Sequence, residues 1–302
     1  MQPPYYTAAD LAAGALPARA RLGVVGNPIA HSVSPPMQQA ALDTAGLPHS
    51  YIRLLCEREE GAFPALISAL RRAQFVGANV TVPFKKQAYA LADEADPLSR
   101  LCGAANTLVF RGEKTACYNT DGPGFERAIH ELCGCGLAAQ RSIVLLGACG
   151  GAGAALAAQC VLSGCPCLTL VNRPRPELGA MLELLQPHCR PGATLRALSF
   201  ADTAGLRAAV AGASLVVNAT SLGLTAADPL PLPAEMLHAG AAVYDLITHP
   251  TPLLRAAAER GCLAAGGRSM LLWQGALAFE HWFGRLPEIE PMRQALATAA
   301  GA

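Results

Sequence analysis

From Leu22 to about Phe110, short apolar runs alternate with stretches of helical spacing, and that alternation confines the chain to one class of fold. LGVVG at Leu22–Gly26 reads as a strand, Pro36 to Ala45 as a helix and SYIRLL at Ser50–Leu55 as a second strand. A helix from Glu60 to Arg72, a strand within FVGANVTV and another at Thr107 to Phe110 follow. Strands joined by helices form β-α-β units, so a largely parallel sheet is expected. After a helix starting near Pro123 the pattern resumes, with strands at Arg141 to Gly147 and Cys167 to Val171 flanking a helix at Gly151 to Ser163. Leu215 to Ala219 and Ala242 to Asp245 read as two more strands, and the Ala-rich stretches between suit packed helices, since Ala has the lowest intrinsic helix cost. With 302 residues, two cores are expected rather than one. The expectation is an α/β fold of two domains with a cleft between them, residues 1–122 and 123–269, with C-terminal helices over 270–302 rejoining the first. Ser269 to Phe283 (SMLLWQGALAFEHWF) has helical apolar spacing and is expected to fold back across the cleft.

Charge and cysteine usage narrow the partners. The net charge is +1 with no run of lysine or arginine that would track a phosphate backbone, so nucleic acid is not expected. The N-terminus lacks a basic stretch before a long apolar segment, and no later apolar run is long and unbroken enough to span a bilayer. A cytoplasmic protein, monomer or homodimer, without a membrane partner is expected. Eleven cysteines are scattered over the length and several fall in apolar stretches, which reads as reduced, small buried hydrophobes. Cys133 and Cys135, like Cys165 and Cys167, are one residue apart rather than the two to four of a zinc pair, and no histidine pair completes a ligand set, so no metal is expected.

Chemistry concentrates in three segments. In GANVTVPFK at Gly77–Lys85, Asn79 and Thr81 are two apart and share one face of the expected strand. Pro83 then stops the ladder, and Lys85 emerges just past the carboxyl end of a strand, where open α/β sheets bind ligands. YNTDGPG at Tyr118–Gly124 offers Asp121, and a lysine with an aspartate suits acid-base work on an alcohol or ketone. Either residue has a plainer use: Lys85 as a surface lysine beside Lys86, Asp121 as an N-cap before Pro123. IVLLGACGGAGA at Ile143–Ala154 runs a strand into a glycine turn and a helix, whose free N–H groups and dipole favour a diphosphate. Such a turn also lets a helix pack against a strand. The next strand ends in Asn172, Arg173, Pro174, Arg175, where a nucleotide fold selecting NAD places an acid; arginines there favour the 2'-phosphate of NADP, or are simply solvated.

Taken in order, GNPIAHSVSP (26–35), GANVTVPFK, GAANT (103–107), NTDG (119–122), NATSLG (218–223), VYDL (243–246) and MLLWQGA (270–276) resemble the shikimate dehydrogenase family, including its quinate/shikimate dehydrogenase branch, over about residues 22–287. The resemblance implies an N-terminal substrate domain and a Rossmann-type NADP domain. It implies that Ser32 and Ser34 hold a substrate carboxylate, that Thr81, Asn106, Asp121 and Gln274 bind ring hydroxyls, and that Lys85 and Asp121 are catalytic. It places the cofactor on Gly147, Ala148, Gly150, Gly151, Ala152, Asn172, Arg173, Arg175, Leu246 and Gly267. This chain departs from the family pattern at Cys149, read as an extra residue in a GAGGA turn, at Pro174 within NRT, at Thr248 in place of a tyrosine and at Ser269 in place of a glycine. The activity implied is NADP-dependent, reversible reduction of 3-dehydroshikimate to shikimate in aromatic amino acid biosynthesis. The alternatives are a quinate/shikimate dehydrogenase using NAD or NADP, and a non-catalytic metabolite-binding protein.

Overall fold

The computed structural model describes residues 5–225 and 227–301. They divide into two compact units, residues 1–120 with 274–302, and residues 121–273.

The first unit contains α1 (Ala8–Ala12), β1 (Ala20–Gly26), α2 (Ser34–Thr44), β2 (Ser50–Leu55), α3 (Ala62–Arg72), β3 (Gly77–Val80) and α4 (Lys85–Ala90). It continues with β4 (Glu94–Ala95), α5 (Pro97–Cys102), β5 (Thr107–Arg111) and β6 (Lys114–Tyr118). α3 buries Phe63, Leu66, Ile67 and Leu70, the three-and-four spacing of one helical face, and burial of side chains this size is worth roughly 1.5–3 kcal/mol each. Phe63 stacks on Phe84 at 5.1 Å, which fixes the start of α4 against the core.

The sheet order is β2-β1-β3-β5-β6-β4. β1 pairs in parallel with β2 and β3, but β5 runs antiparallel to β3 and β6 antiparallel to β5. The largely parallel sheet expected for this half is therefore mixed. For β6 the reason is local: Gly112, at φ +60°, supplies the left-handed conformation of a two-residue hairpin turn, so β6 returns directly beside β5 without a helix. β3 is also shorter than the motif suggested. It ends at Val80, and Thr81 stands just past it rather than on its face.

The second unit contains α6 (Asp121–Cys133), β7 (Ile143–Leu146), α7 (Gly151–Leu162), β8 (Cys167–Asn172), α8 (Pro176–Leu185), β9 (Thr194–Ser199) and α9 (Thr203–Ala211). β10 (Leu215–Asn218), β11 (Ala242–Asp245), α10 (Pro252–Glu259) and β12 (Leu263–Gly266) complete its sheet layers. Its six strands are all parallel in the order β12-β11-β10-β7-β8-β9. This is the doubly wound order in which the strand sequence reverses between the first and fourth strands, here β7 and β10, and ligands bind at the carboxyl ends on either side of that reversal. The division between units falls within α11 (Arg268–Phe283). α12 (Ile289–Gly301) packs against α2. Trp282 of α11 donates from Nε1 to the Leu108 carbonyl at 3.0 Å, anchoring that helix to β5.

Candidate active site

The antiparallel course of β5 decides which residues meet in the first unit. The register sets Asn79 beside Thr107 and Thr107 beside Tyr118. The end of β3, the start of β5 and the end of β6 thus share one sheet edge, and Asn106 arrives there beside Thr81; a parallel β5 would have carried it to the opposite edge. Asn106 is buried, and its Oδ1 accepts from Thr120 N at 2.8 Å, Thr120 Oγ1 at 3.1 Å and Thr107 Oγ1 at 3.1 Å. With its acceptor side so occupied, Nδ2 turns to Gln274 Oε1 at 3.4 Å. Asn79 supports the same cluster, donating to Thr107 Oγ1 at 3.1 Å and accepting from Tyr51 at 2.7 Å. Burial pushes the Tyr51 hydroxyl well above its ordinary pKa, so it remains a donor.

Ser32 lies between β1 and α2, and Ser34 is the first residue of α2. Ser34 N donates to Ser32 Oγ at 3.3 Å, closing a local turn that leaves both O–H groups able to donate elsewhere. Lys85 is half-buried while Lys86 is exposed, which separates the two adjacent lysines. Lys85 opens α4, and its carbonyl accepts from Ala105 N at 2.9 Å, tying it to the residue before Asn106. The structure therefore brings Thr81, Lys85, Asn106 and Gln274 to the polar edge of this unit. Asp121 is buried at the first residue of α6, where the helix dipole favours a carboxylate.

In the second unit a cavity of about 750 Å³ opens at the reversal of strand order. Its walls include Gly147 and Gly150 from the turn after β7, Ala219, Thr220 and Ser221 after β10, and Asn172 at the end of β8 with Arg173 and Arg175 just beyond it. Gly147 has φ +82°, and a Cβ there would lie 2.9 Å from the Ala219 carbonyl carbon and oxygen and from Thr220 Cγ2. The two walls meet across this glycine. Gly150 N donates to Gly147 O at 3.0 Å, closing a four-residue turn with Cys149 in its third place. Among the described non-glycine residues only Gln74 has a positive φ, so the turn does not demand glycine at 149. Cys149 lines the cavity, and burial, with Glu177 nearby, raises its thiol pKa. Gly151 and Ala152 begin α7, whose first N–H groups have no carbonyl within the helix. A diphosphate fits that terminus and a 2'-phosphate fits the exposed arginines. Ala148 is fully buried beneath the turn, and Ala148, Gly151, Ala152, Leu246 and Gly267 are not among the cavity's walls. Gly267 sits instead against the loop after β11, donating to Ile247 O at 3.0 Å.

Two sets of supporting residues escaped the sequence reading. Thr220, Ser221 and Leu222 line the cavity although only their motif, NATSLG, had been noted. Beneath them Asn218 Oδ1 accepts from Thr220 N at 3.1 Å and Thr220 Oγ1 at 2.6 Å, while its Nδ2 donates to Asp245 Oδ1 at 3.1 Å. Asp245, fully buried, also accepts from Thr251 Oγ1 at 2.7 Å and Ile247 N at 3.1 Å. Burial raises its carboxyl pKa, and those three donors oppose the rise. Ser269, where a glycine was usual, hydrogen-bonds the Tyr244 hydroxyl at 2.9 Å. Thr248 is exposed, and its carbonyl accepts from Arg268 Nε at 2.8 Å. All eleven cysteines are free thiols. Among the described residues, no cluster of His, Cys, Asp or Glu is placed to hold a metal ion and no helix is long and apolar enough to cross a membrane.

Known proteins resemble this chain in sequence and in fold. A family profile described as shikimate dehydrogenase substrate binding domain matches residues 24–108, and one described as shikimate 5'-dehydrogenase C-terminal domain matches residues 267–297. A shikimate dehydrogenase (NADP(+)) of Rubrobacter xylanophilus is 37% identical over 281 residues, 91% of this chain and 95% of its own length. The crystal structure of shikimate 5-dehydrogenase from Thermus thermophilus in complex with NADP(H) and shikimate aligns with TM-score 0.79 at 36% identity, over 93% of this chain and 99% of that one. Quinate dehydrogenase from Corynebacterium glutamicum, in complex with NAD, aligns with TM-score 0.81 at 28% identity, over 92% of this chain and 98% of that one.

Proposed function

This chain belongs to the shikimate dehydrogenase family, and we propose that it is an oxidoreductase catalysing the reversible, NADP-dependent reduction of 3-dehydroshikimate to shikimate. The observation that carries the reading is that one chain joins a buried hydroxyl-matching cluster, Asn106 with Gln274, to a doubly wound unit with arginines at the edge of its nucleotide cavity. Residues 1–122 with 270–302 serve the substrate and residues 123–269 the cofactor.

In this reading the Ser32 and Ser34 hydroxyls donate to the substrate carboxylate, and Thr81, Asn106, Asp121 and Gln274 match its ring hydroxyls. Neutral amides and hydroxyls suit that task because each can donate or accept. Gly147, Gly150 and the N-terminus of α7 would hold the pyrophosphate, and Arg173 and Arg175 the 2'-phosphate. When bound, the nicotinamide ring supplies or accepts the hydride. Negative charge develops on the ketone oxygen as the carbonyl is reduced, and Lys85 stabilises that charge and delivers the proton; Asp121 is its acid-base partner. In the reverse direction Lys85 receives the hydroxyl proton. A cytoplasmic location follows for an enzyme of a biosynthetic route that makes aromatic amino acids.

The C. glutamicum neighbour gives quinate and NAD a place in the test. Quinate adds a hydroxyl at the carbon bearing the carboxylate, and both serines that would face that end are present. Initial rates with shikimate and quinate, each against NADP and NAD, separate the readings. The proposal expects the highest kcat/KM for shikimate with NADP. Preference for quinate with NAD would move the assignment to the quinate branch, and no turnover with any pair would refute an oxidoreductase of this class.

A further inference from the structure

Arg53 enters neither the motifs nor the catalytic roles above, yet it holds the loop that carries the serine pair. It stands on β2 opposite Val24 of β1, and Val24 in turn pairs with Asn79 of β3. Residues level with one another across a sheet point to the same face, so Arg53 shares a face with Asn79 and its cluster. From there the guanidinium sends Nε and Nη2 to a single acceptor, the Ser32 carbonyl oxygen, at 3.0 and 2.7 Å. The side chain is half-buried, and no carboxylate of the described residues pairs with it; burial is the one cause that lowers its pKa. A neutral donor would satisfy one carbonyl as well. Leaving a partly dehydrated cation without a counter-charge is unfavourable in the chain by itself, and an anion arriving at the adjacent loop removes that imbalance.

We propose that Arg53 is a positioning residue for the anionic end of the substrate: it fixes the Ser32 peptide so that the Ser32 and Ser34 hydroxyls present to one carboxylate, and it supplies the positive charge behind them. The inference rests on the assignment of that serine pair to the carboxylate. Ser34 N, donating to Ser32 Oγ, holds the loop at a second point. The planar fork of arginine can give two N–H groups to one oxygen with little loss of freedom, which lysine cannot match.

The test compares wild type, Arg53→Met and Arg53→Lys with shikimate and with shikimate methyl ester, which lacks the charge but keeps the ring hydroxyls. Arg53→Met is expected to raise KM for shikimate about tenfold, the order of one hydrogen-bonded charge interaction, with kcat within about twofold. KM for the ester and for NADP should hardly move, so the preference for acid over ester narrows. Arg53→Lys, keeping the charge and losing the fork, should raise the shikimate KM by less and leave the ester unchanged. Equal rises for acid and ester in either variant would mean that Arg53 only props the loop, and unchanged shikimate KM in Arg53→Lys and Arg53→Met would overturn the proposal outright. Should Arg53→Met fail to fold, the acid-to-ester ratio in Arg53→Lys decides, since a structural prop moves both substrates together. Calorimetric binding of acid and ester by the same proteins scores Arg53 even if wild type turns over neither, a result that would refute the proposed function instead.

Discussion

Gly147→Ala tests whether the nucleotide cavity is built as described. The glycine has φ +82°, a conformation that costs an L-residue roughly 1–2 kcal/mol. The added Cβ would also stand 2.9 Å from the Ala219 carbonyl and from Thr220 Cγ2, both parts of the opposite wall. Backbone cannot swing aside as a long side chain can, and such overpacking costs about 1–3 kcal/mol. Together these predict a loss of about 2–5 kcal/mol, which for a unit of this size lowers Tm by about 5–15 °C. Because the strain falls between two walls of the cavity, NADP affinity should drop with stability while shikimate binding, read by calorimetry, holds. Gly151→Ala is the matched control: its φ is not positive and a Cβ would meet nothing within 4 Å, so its Tm should stay near that of wild type. If Gly147→Ala melts and binds NADP like wild type, or Gly151→Ala is the more damaging change, the two walls do not meet across Gly147 in this way.

Other expectations follow from single observations. Arg173→Ala and Arg175→Ala should each raise KM for NADP about tenfold and leave KM for NAD nearly unchanged, because only NADP carries the 2'-phosphate; equal effects on both cofactors would remove the arginines from that role. His281 stacks on Tyr118 at 3.8 Å, and burial lowers its pKa below the ordinary 6.5, against the opposing influence of Asp96 and Glu280. The unfolded chain then binds more protons in the window between the lowered value and 6.5. Stability from this group is therefore fully present above 6.5 and is lost as pH falls through the window. His281→Phe keeps the stack and should flatten that part of the Tm–pH curve; an unchanged slope would contradict the assignment.

The motifs disclosed the edges of the fold more readily than its interior supports. SYIRLL and AVYD match β2 and β11 residue for residue, because fully apolar or alternating runs bounded by turns leave little freedom. LAAG gave no sign of β12, since Ala and Gly have weak strand preference and its pairing with β11 makes it a strand. The β5–β6 hairpin was missed because RGEK is not one of the stronger turn signals, and the antiparallel pairing of β5 with β3, which brings Asn106 and Thr81 to one edge, has no mark in the sequence. Of the candidate site, Lys85, Asn106, Gln274 and the glycine turn were named from motifs, and the structure places the first three at the polar edge of the first unit and the turn in the cavity wall. What could not be read were residues far apart in sequence that a side chain brings together, such as Asn218 with Asp245, Tyr51 with Asn79, and Arg53 with the Ser32 carbonyl. Nothing in a single sequence marks which buried asparagine will face which aspartate.

The most direct test of the central claim is the initial rate of NADPH formation from shikimate by wild type and by Lys85→Ala, with shikimate affinity measured separately. Turnover by wild type is expected, with a loss of about 10²–10⁴-fold in kcat for Lys85→Ala, as for a proton-transfer group, and little change in affinity. Lys85→Ala protein that keeps wild-type kcat, or wild type that binds shikimate and NADP without transferring hydride, would contradict it.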